Sequence, residues 1–263
     1  MLEGKIGLVT GAAQGIGRAI AVEMARQGSR AVAIADRDLA GAEDTAALVR
    51  EAGGEAEAIA VDLRSSEQIR DMVERAMGSF GGLDLLFNNA GVIETALTGE
   101  SDVITLSEEA WNTVYEINLR AVWLTTKFAA PHLKRSARGP AIVNTASVSG
   151  LIGLAHAPAY GSTKAAVIQL TRNCAVELAP VRCNCFAPGL IETPLTRNFV
   201  ERAADPAAFE RAMLAPQLIK RMGRPEEVAK LACFLASDDA AFITGAMFPI
   251  DGGAIAWRGA DRH

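Results

Sequence analysis

Two hydrophobic rhythms alternate along this chain. Short apolar runs at 5–10 (KIGLVT), 31–36 (AVAIAD), 56–61, 83–88, 141–145, 181–187 and 246–250 predict buried strands. Between them, apolar residues recurring with helical spacing predict helices over 12–28, 39–52, 65–80, 121–134, 158–179 and 225–236. A further helix, capped by Ser107, takes in Trp111 and Asn118. Gly53-Gly54 and Gly81-Gly82 stop two helices, and Ser65-Ser66 starts one. Residues 93–105 read as a long polar loop. Residues 190–217 read as amphipathic pieces broken by Pro194, Pro206 and Pro216. Strands that are apolar throughout and alternate with helices predict an α/β fold, a parallel sheet covered on both faces. No linker, repeat or low-complexity tract divides the chain, so one domain over 1–263 is expected.

Composition narrows the function classes. Half of the 263 residues are hydrophobic and 22% are charged, which suits a packed core. A formal charge of −5 argues against nucleic acid as a main partner, because phosphate binding needs a basic face. The chain enters its first strand directly after Met1-Leu2-Glu3-Gly4, without a signal-peptide pattern. The uncharged stretch 139–163 contains Pro140, Asn144, Pro158 and several hydroxyls, which count against a membrane span. Cys174, Cys183, Cys185 and Cys233 show neither disulfide-framework nor zinc spacing. Reduced core cysteines and a cytoplasmic protein without a metal are the expectation.

Candidate chemistry begins after the first strand. Gly11, Gly15 and Gly17 lie in TGAAQGIG, where glycines permit a tight turn and let main-chain N–H groups approach a pyrophosphate at a helix N-terminus. Asp36 ends the second strand, 19 residues after Gly17, where a carboxylate accepts hydrogen bonds from an adenosine ribose and repels a 2′-phosphate. NAD is therefore expected over NADP; Arg37 reads as an outward-facing surface residue, with a softening of that preference as the alternative. Asp62, after the third strand, reads as a turn cap, as an adenine contact, or as both. Farther along, Tyr160 and Lys164 lie four apart in a predicted helix, side by side on one face. A neighbouring ammonium predicts a phenol that ionises more easily than free tyrosine, a candidate general acid/base.

Taken together, TGAAQGIG at 10–17, NNAG at 88–91, Asn118, Ser147, Tyr160-x-x-x-Lys164 and PGLIETP at 188–194 resemble the short-chain dehydrogenase/reductase pattern. Order and spacing match along essentially the whole chain. The resemblance implies a single Rossmann-type doubly wound sheet of seven parallel strands. It gives Asn118, Ser147, Tyr160 and Lys164 catalytic roles: Tyr160 exchanges the substrate proton and Ser147 orients the substrate oxygen. Lys164 tunes Tyr160 and holds the nicotinamide ribose, and Asn118 supports a proton-relay water. A strand-end serine and a helix-kinking asparagine are the plain alternatives for Ser147 and Asn118.

The resemblance places Ile16, Leu63, Asn88, Asn89, Ala90 and Gly91 at the cofactor site. Pro188 and Gly189 pass the nicotinamide, and Ile191 and Thr193 stand at its carboxamide and phosphate. Gln14 stands where NADP-using relatives often carry a basic residue, which again favours NAD. Segment 190–217 is expected as a substrate lid and a homotetramer as the assembly, with 254–257 either at an interface or packed on its own subunit. His132, His156 and His263 match no catalytic or metal position.

Two departures from the pattern stand out: a longer loop at 94–105, and a connection at 178–182 about two residues short. The expected activity is NAD-dependent interconversion of a secondary alcohol and its ketone. An NADP-dependent carbonyl or 3-oxoacyl reductase and a non-catalytic nucleotide sensor are the alternatives. Leu151, Ile152, Leu154, Leu190, Ile191, Leu195 and Phe199 are expected near a partly apolar pocket. Glu94 and the loop hydroxyls leave room for a cyclic alcohol, sugar or polyol.

Overall fold

The computed structural model describes residues 1–99 and 101–257; Glu100 and residues 258–263, His263 among them, lie outside the described residues. Seven strands form one parallel sheet: β1 (Ile6–Thr10), β2 (Ala31–Asp36), β3 (Glu55–Ala60), β4 (Leu85–Asn88), β5 (Ala141–Thr145), β6 (Arg182–Pro188) and β7 (Met247–Ile250). Their order is β3-β2-β1-β4-β5-β6-β7. The chain winds outward from β1 to β3, then returns to pair β4 with the other side of β1. The strand order therefore reverses between β1 and β4, while the strands stay parallel. In open α/β sheets a ligand crevice lies outside the strand C-termini at such a point.

Helices cover both faces, as strands with two apolar faces require. On one face α1 (Gly15–Arg26) and α2 (Leu39–Glu51) pack with the later α9 (Pro225–Ala236) around Val9, Ile20, Met24, Val32 and Val228. On the other, α3 (Ser66–Phe80), α5 (Ala121–Leu133) and α6 (Pro158–Glu177) enclose Leu8, Ile69, Leu86, Leu124 and Cys183. Asp38 and Ser65 accept N-terminal N–H groups of α2 and α3, and Ser107 does so for α4 (Glu108–Tyr115). All four cysteines are free and buried.

Local patterns predict these elements within a few residues, with two informative differences. The helices expected around Asn118 and over 121–134 form one continuous run, because a π-helical turn at Glu116–Arg120 joins α4 to α5. The long loop after β4 is not wholly irregular: Glu94–Ala96 forms a 3₁₀ turn. The short connection before β6 is a tight turn in which Val181 N–H donates to the Leu178 carbonyl at 3.0 Å, across a cis Ala179–Pro180 bond. The broken stretch after β6 contains α7 (Pro194–Arg202) and α8 (Pro206–Leu214), both opened by proline and capped by Thr193 and Asp205. Trp257 packs on its own chain, its indole N–H donating to the Pro216 carbonyl and Lys220 standing 5.6 Å from its ring. No helix among the described residues is long and apolar enough to cross a membrane.

Candidate active site

A cleft of about 490 Å³ opens along the carboxyl ends of the strands, at the reversal between β1 and β4. All the predicted cofactor residues from Gly11 to Thr193 line it except Asn88 and Gly17, and Ser147, Tyr160 and Lys164 line it too. At its nucleotide end, Gly11 turns with φ 66° and Gly15 with φ 57°, conformations that favour glycine. A Cβ on Gly11 would stand 2.6 Å from the Ala90 Cα, so only glycine lets the β1 turn approach the β4 turn this closely. Gly17 sits behind the cleft wall. There a Cβ would stand 2.2 Å from the Gly11 carbonyl oxygen, so Gly17 shapes the turn. Asn89 ties the two turns together, its amide donating to the Thr10 and Gly11 carbonyls at 3.2 and 3.1 Å.

The start of α1 fits a phosphate group. Gln14, its N-cap, makes no side-chain capping bond, and the first turn holds no acidic residue. The helices α2, α3 and α4 are side-chain capped; α1 instead presents its N-terminal N–H groups and positive dipole end to the cleft. Asp36 accepts from Ala13 N–H at 2.9 Å and from Asp38 N–H at 3.0 Å, which fixes its carboxylate on the cleft wall. Asp62 accepts from Arg64 N–H at 2.9 Å and pairs with its guanidinium at 2.7 Å. The Asp62 carboxyl consequently sits below its ordinary range, chiefly through its bonds with Arg64. The turn-capping reading of Asp62 thus describes its geometry.

Asn88 is a correction. It points away from the cleft and donates to Asn144 Oδ1 at 2.9 Å and Thr126 Oγ1 at 3.2 Å. Asn144 continues this buried ladder to Thr171 at 3.0 Å. Asn88 is the last β4 residue, and the strand alternation turns its side chain under the sheet. It tethers β4, β5 and two helices.

At the other end of the cleft, Lys164 is buried and its Nζ donates to the Thr145 carbonyl at 2.8 Å. Burial lowers its ammonium to about 8. The Nζ stands 5.7 Å from the centroid of the Tyr160 ring. Burial raises the Tyr160 phenol above its ordinary value; a hydrogen bond with Ser147 opposes this rise, and the charge of Glu94 adds to it. Easier ionisation of Tyr160, expected from Lys164 alone, is therefore not what this structure gives. Lys164 faces the ring and is held by Thr145, so its attraction does not outweigh desolvation.

Asn118 does not line the cleft. Its side chain is buried in the π turn, accepting from Val92 N–H and donating to the Val92 carbonyl, both at 2.8 Å, and donating to Thr163 Oγ1 at 3.3 Å. It stands directly behind Gly91, where a Cβ would lie 3.4 Å from Asn118 Oδ1 and 3.2 Å from Lys164 Nζ. An extra residue within a helix, as in this π turn, re-aims a side chain, often at functional sites.

Glu94 is a second correction. Its side chain is fully buried and its carboxylate accepts from Ala159 N–H at 2.7 Å and Tyr160 N–H at 3.2 Å. It is therefore not placed to receive a hydroxyl of a cyclic alcohol, sugar or polyol. Among the apolar candidates, Ile191 and Leu195 line the cleft together with Ala96 and Leu97, which sequence reasoning did not single out. Leu190 lines a smaller cavity of about 140 Å³, and Phe199 lines neither. Leu151, Ile152 and Leu154 are exposed after Ser147, and His156 is exposed with φ 60°.

Comparison with known proteins agrees with this geometry. A family model described as enoyl-(acyl carrier protein) reductase matches residues 11–254. The chain is 37% identical to a 3-oxoacyl-(acyl-carrier-protein) reductase of Thermotoga maritima, over 97% of this chain and 99% of that one. It is 40% identical to a cis-4-hydroxycyclohexanecarboxylate dehydrogenase of Sinomonas cyclohexanicum, over 95% and 96% of the two chains. The crystal structure of a short-chain type dehydrogenase/reductase from Mycobacterium marinum superposes with a TM-score of 0.87 at 33% identity, covering 96% of each chain. With the parallel sheet, the glycine turn at its reversal point and relatives aligned from end to end, this chain belongs to the short-chain dehydrogenase/reductase family of NAD(P)-dependent oxidoreductases.

Proposed function

We propose that this protein is an NAD-dependent dehydrogenase that interconverts a ring-bearing secondary alcohol and its ketone. The convergence of Ser147, Tyr160 and Lys164 on one cleft with the uncapped start of α1 carries this reading. The N–H groups of α1 would hold the pyrophosphate, Asp36 the adenosine ribose, and Lys164 the nicotinamide ribose. When bound, the dinucleotide supplies the hydride acceptor or donor.

The chain's own residues manage the proton and the orientation. In the oxidative direction Tyr160 takes the hydroxyl proton of the substrate; in the reductive direction it returns one to the ketone oxygen. Ser147, beside the phenol on the cleft wall, orients that oxygen and moderates the cost of ionising Tyr160. Because burial holds the phenol protonated at neutral pH, alcohol oxidation is expected to quicken on the alkaline side.

NAD is favoured over NADP because a carboxylate at Asp36 repels a 2′-phosphate and Gln14 offers no cation to it. Ala96, Leu97, Ile191 and Leu195 make the cleft partly apolar, and the S. cyclohexanicum relative is named for a hydroxylated cyclohexane ring. Segment 190–217, in which Ile191 and residues 193–196 line the cleft, is assigned as the substrate lid, cytoplasm as the compartment and a homotetramer as the assembly.

The test is a panel of cyclic alcohols, steroids, polyols and 3-hydroxyacyl compounds assayed with NAD and NADP at equal concentration. Tyr160→Phe should abolish turnover by about 10²-fold or more. A clear NADP preference, or full activity in Tyr160→Phe, would sink the reading. The similarity to the T. maritima reductase favours a second reading, an NADP-dependent reduction of 3-oxoacyl groups, which the 3-hydroxyacyl and NADP arms would reveal.

A further inference from the structure

The first turn of α6 poses an accounting problem. Ala157, its N-cap, makes no side-chain capping bond, and Pro158 has no N–H to offer. Gly161 N–H already donates to the Ala157 carbonyl at 2.9 Å. Within the turn this leaves the N–H groups of Ala159 and Tyr160 as donors without an intrahelical partner. Both are satisfied by one side chain, the Glu94 carboxylate, whose Oε1 lies 2.7 Å from Ala159 N and whose Oε2 lies 3.2 Å from Tyr160 N. Glu94 comes from the loop after β4, outside the helix it caps. No salt bridge to Glu94 is found among the described residues, so its charge is met by these N–H groups and the positive end of α6.

The same contact closes a ring. Tyr160 carbonyl accepts from Thr163 Oγ1 at 2.9 Å, and Thr163 Oγ1 accepts from Asn118 at 3.3 Å. Asn118 clasps Val92 through two bonds of 2.8 Å, and two residues later Glu94 returns to Tyr160. One end of the ring is Val92, next to Gly91 on the cleft wall; the other is Tyr160.

We propose that Glu94 is a positioning residue for the reaction: by holding both N–H donors at the start of α6, it fixes where Tyr160 meets the substrate oxygen. The inference rests on the proposed role of Tyr160. It also reassigns the start of the unusually long loop, which buttresses the catalytic helix. Glu94 has an electrostatic consequence as well. The groups that act on the phenol are Lys164 from α6 itself, Ser147 from the turn after β5 and, from its place at the main-chain N–H groups, Glu94 of the loop after β4. Of these only Glu94 carries negative charge, which makes the phenolate harder to form.

The composition supplies a direct test, because the chain has two tyrosines and the other is the exposed Tyr115. In a Tyr115→Phe background the near-ultraviolet phenolate absorbance reports Tyr160 alone, with no need for substrate or cofactor. Glu94→Gln keeps one acceptor oxygen and removes the charge. It should move the phenolate midpoint to lower pH, and the acid limb of alcohol oxidation should follow. Glu94→Ala leaves both donors unpaired and should lower kcat by about 10- to 100-fold, while KM for the nucleotide changes little.

Unchanged phenolate midpoints in Glu94→Gln, or wild-type kcat in folded Glu94→Ala, would overturn the proposal. Should Glu94→Ala fail to fold, the Glu94→Gln titration still decides. Failure of the dehydrogenase reading looks different: the wild-type protein would be inactive on every alcohol, or Tyr160→Phe would remain active, whatever the titration shows.

Discussion

Replacing Lys164 by methionine sets what the site needs against what the fold prefers. Lys164 is 3% exposed, and burial alone brings its ammonium from an ordinary 10.5 to about 8. A drop of that size corresponds to about 3 kcal/mol of unfavourable burial while the amine is charged. The charge-assisted bond to the Thr145 carbonyl, at 2.8 Å, returns part of it, about 1.5 kcal/mol. Methionine has a similar stem without the charge, so Lys164→Met should stabilise the cofactor-free protein by about 1–2 kcal/mol near neutral pH. For a chain of this size that raises Tm by about 2–6 °C.

The pH dependence has a definite sign. The folded-state value lies below the unfolded one, so between about 8 and 10.5 the unfolded chain binds more protons. Wild-type stability contributed by this group therefore rises with pH across that window, and the advantage of the variant shrinks there. Thermal unfolding of both proteins, followed by circular dichroism from about pH 7 to about pH 10, reads this directly. Turnover should meanwhile fall by about 10²-fold or more. A variant less stable than wild type at neutral pH, or an advantage independent of pH, would refute the reasoning.

Two further outcomes are expected. Asp36→Asn keeps an acceptor for Ala13 N–H but removes the charge facing a 2′-phosphate; kcat/KM with NADP should rise by about tenfold relative to NAD, measured by initial rates. Asp84 is buried, accepts from Ile6 N–H at 2.8 Å and Arg138 Nε at 2.9 Å, and also holds Ser136 Oγ. Asp84→Ala should cost about 3 kcal/mol in urea unfolding through the donors left unpaired, whereas Asp84→Asn should cost less.

By itself the sequence determined whatever is written in consecutive residues. The β1 run followed by Gly11, Gly15 and Gly17 defines a strand, a turn and a helix start, because each signal acts within a few residues. The spacing of Tyr160 and Lys164 was legible for the same reason, since four residues make about one helical turn. The alternation of apolar strands with amphipathic helices carried the sheet and its two covered faces. Tertiary structure decided the rest. Asn88 and Asn89 are neighbours in sequence, yet strand alternation and the register with Asn144 send one into the core and the other to the cleft turn. Asn118 became intelligible only once the π turn aimed it at Val92. Glu94 reads as a loop carboxylate until folding brings it to N–H groups 65 and 66 residues away. The ionisation of Tyr160 followed the same rule. Spacing placed a cation beside it, but the water removed by burial and the direction in which Lys164 points depend on segments that meet only in the packed fold.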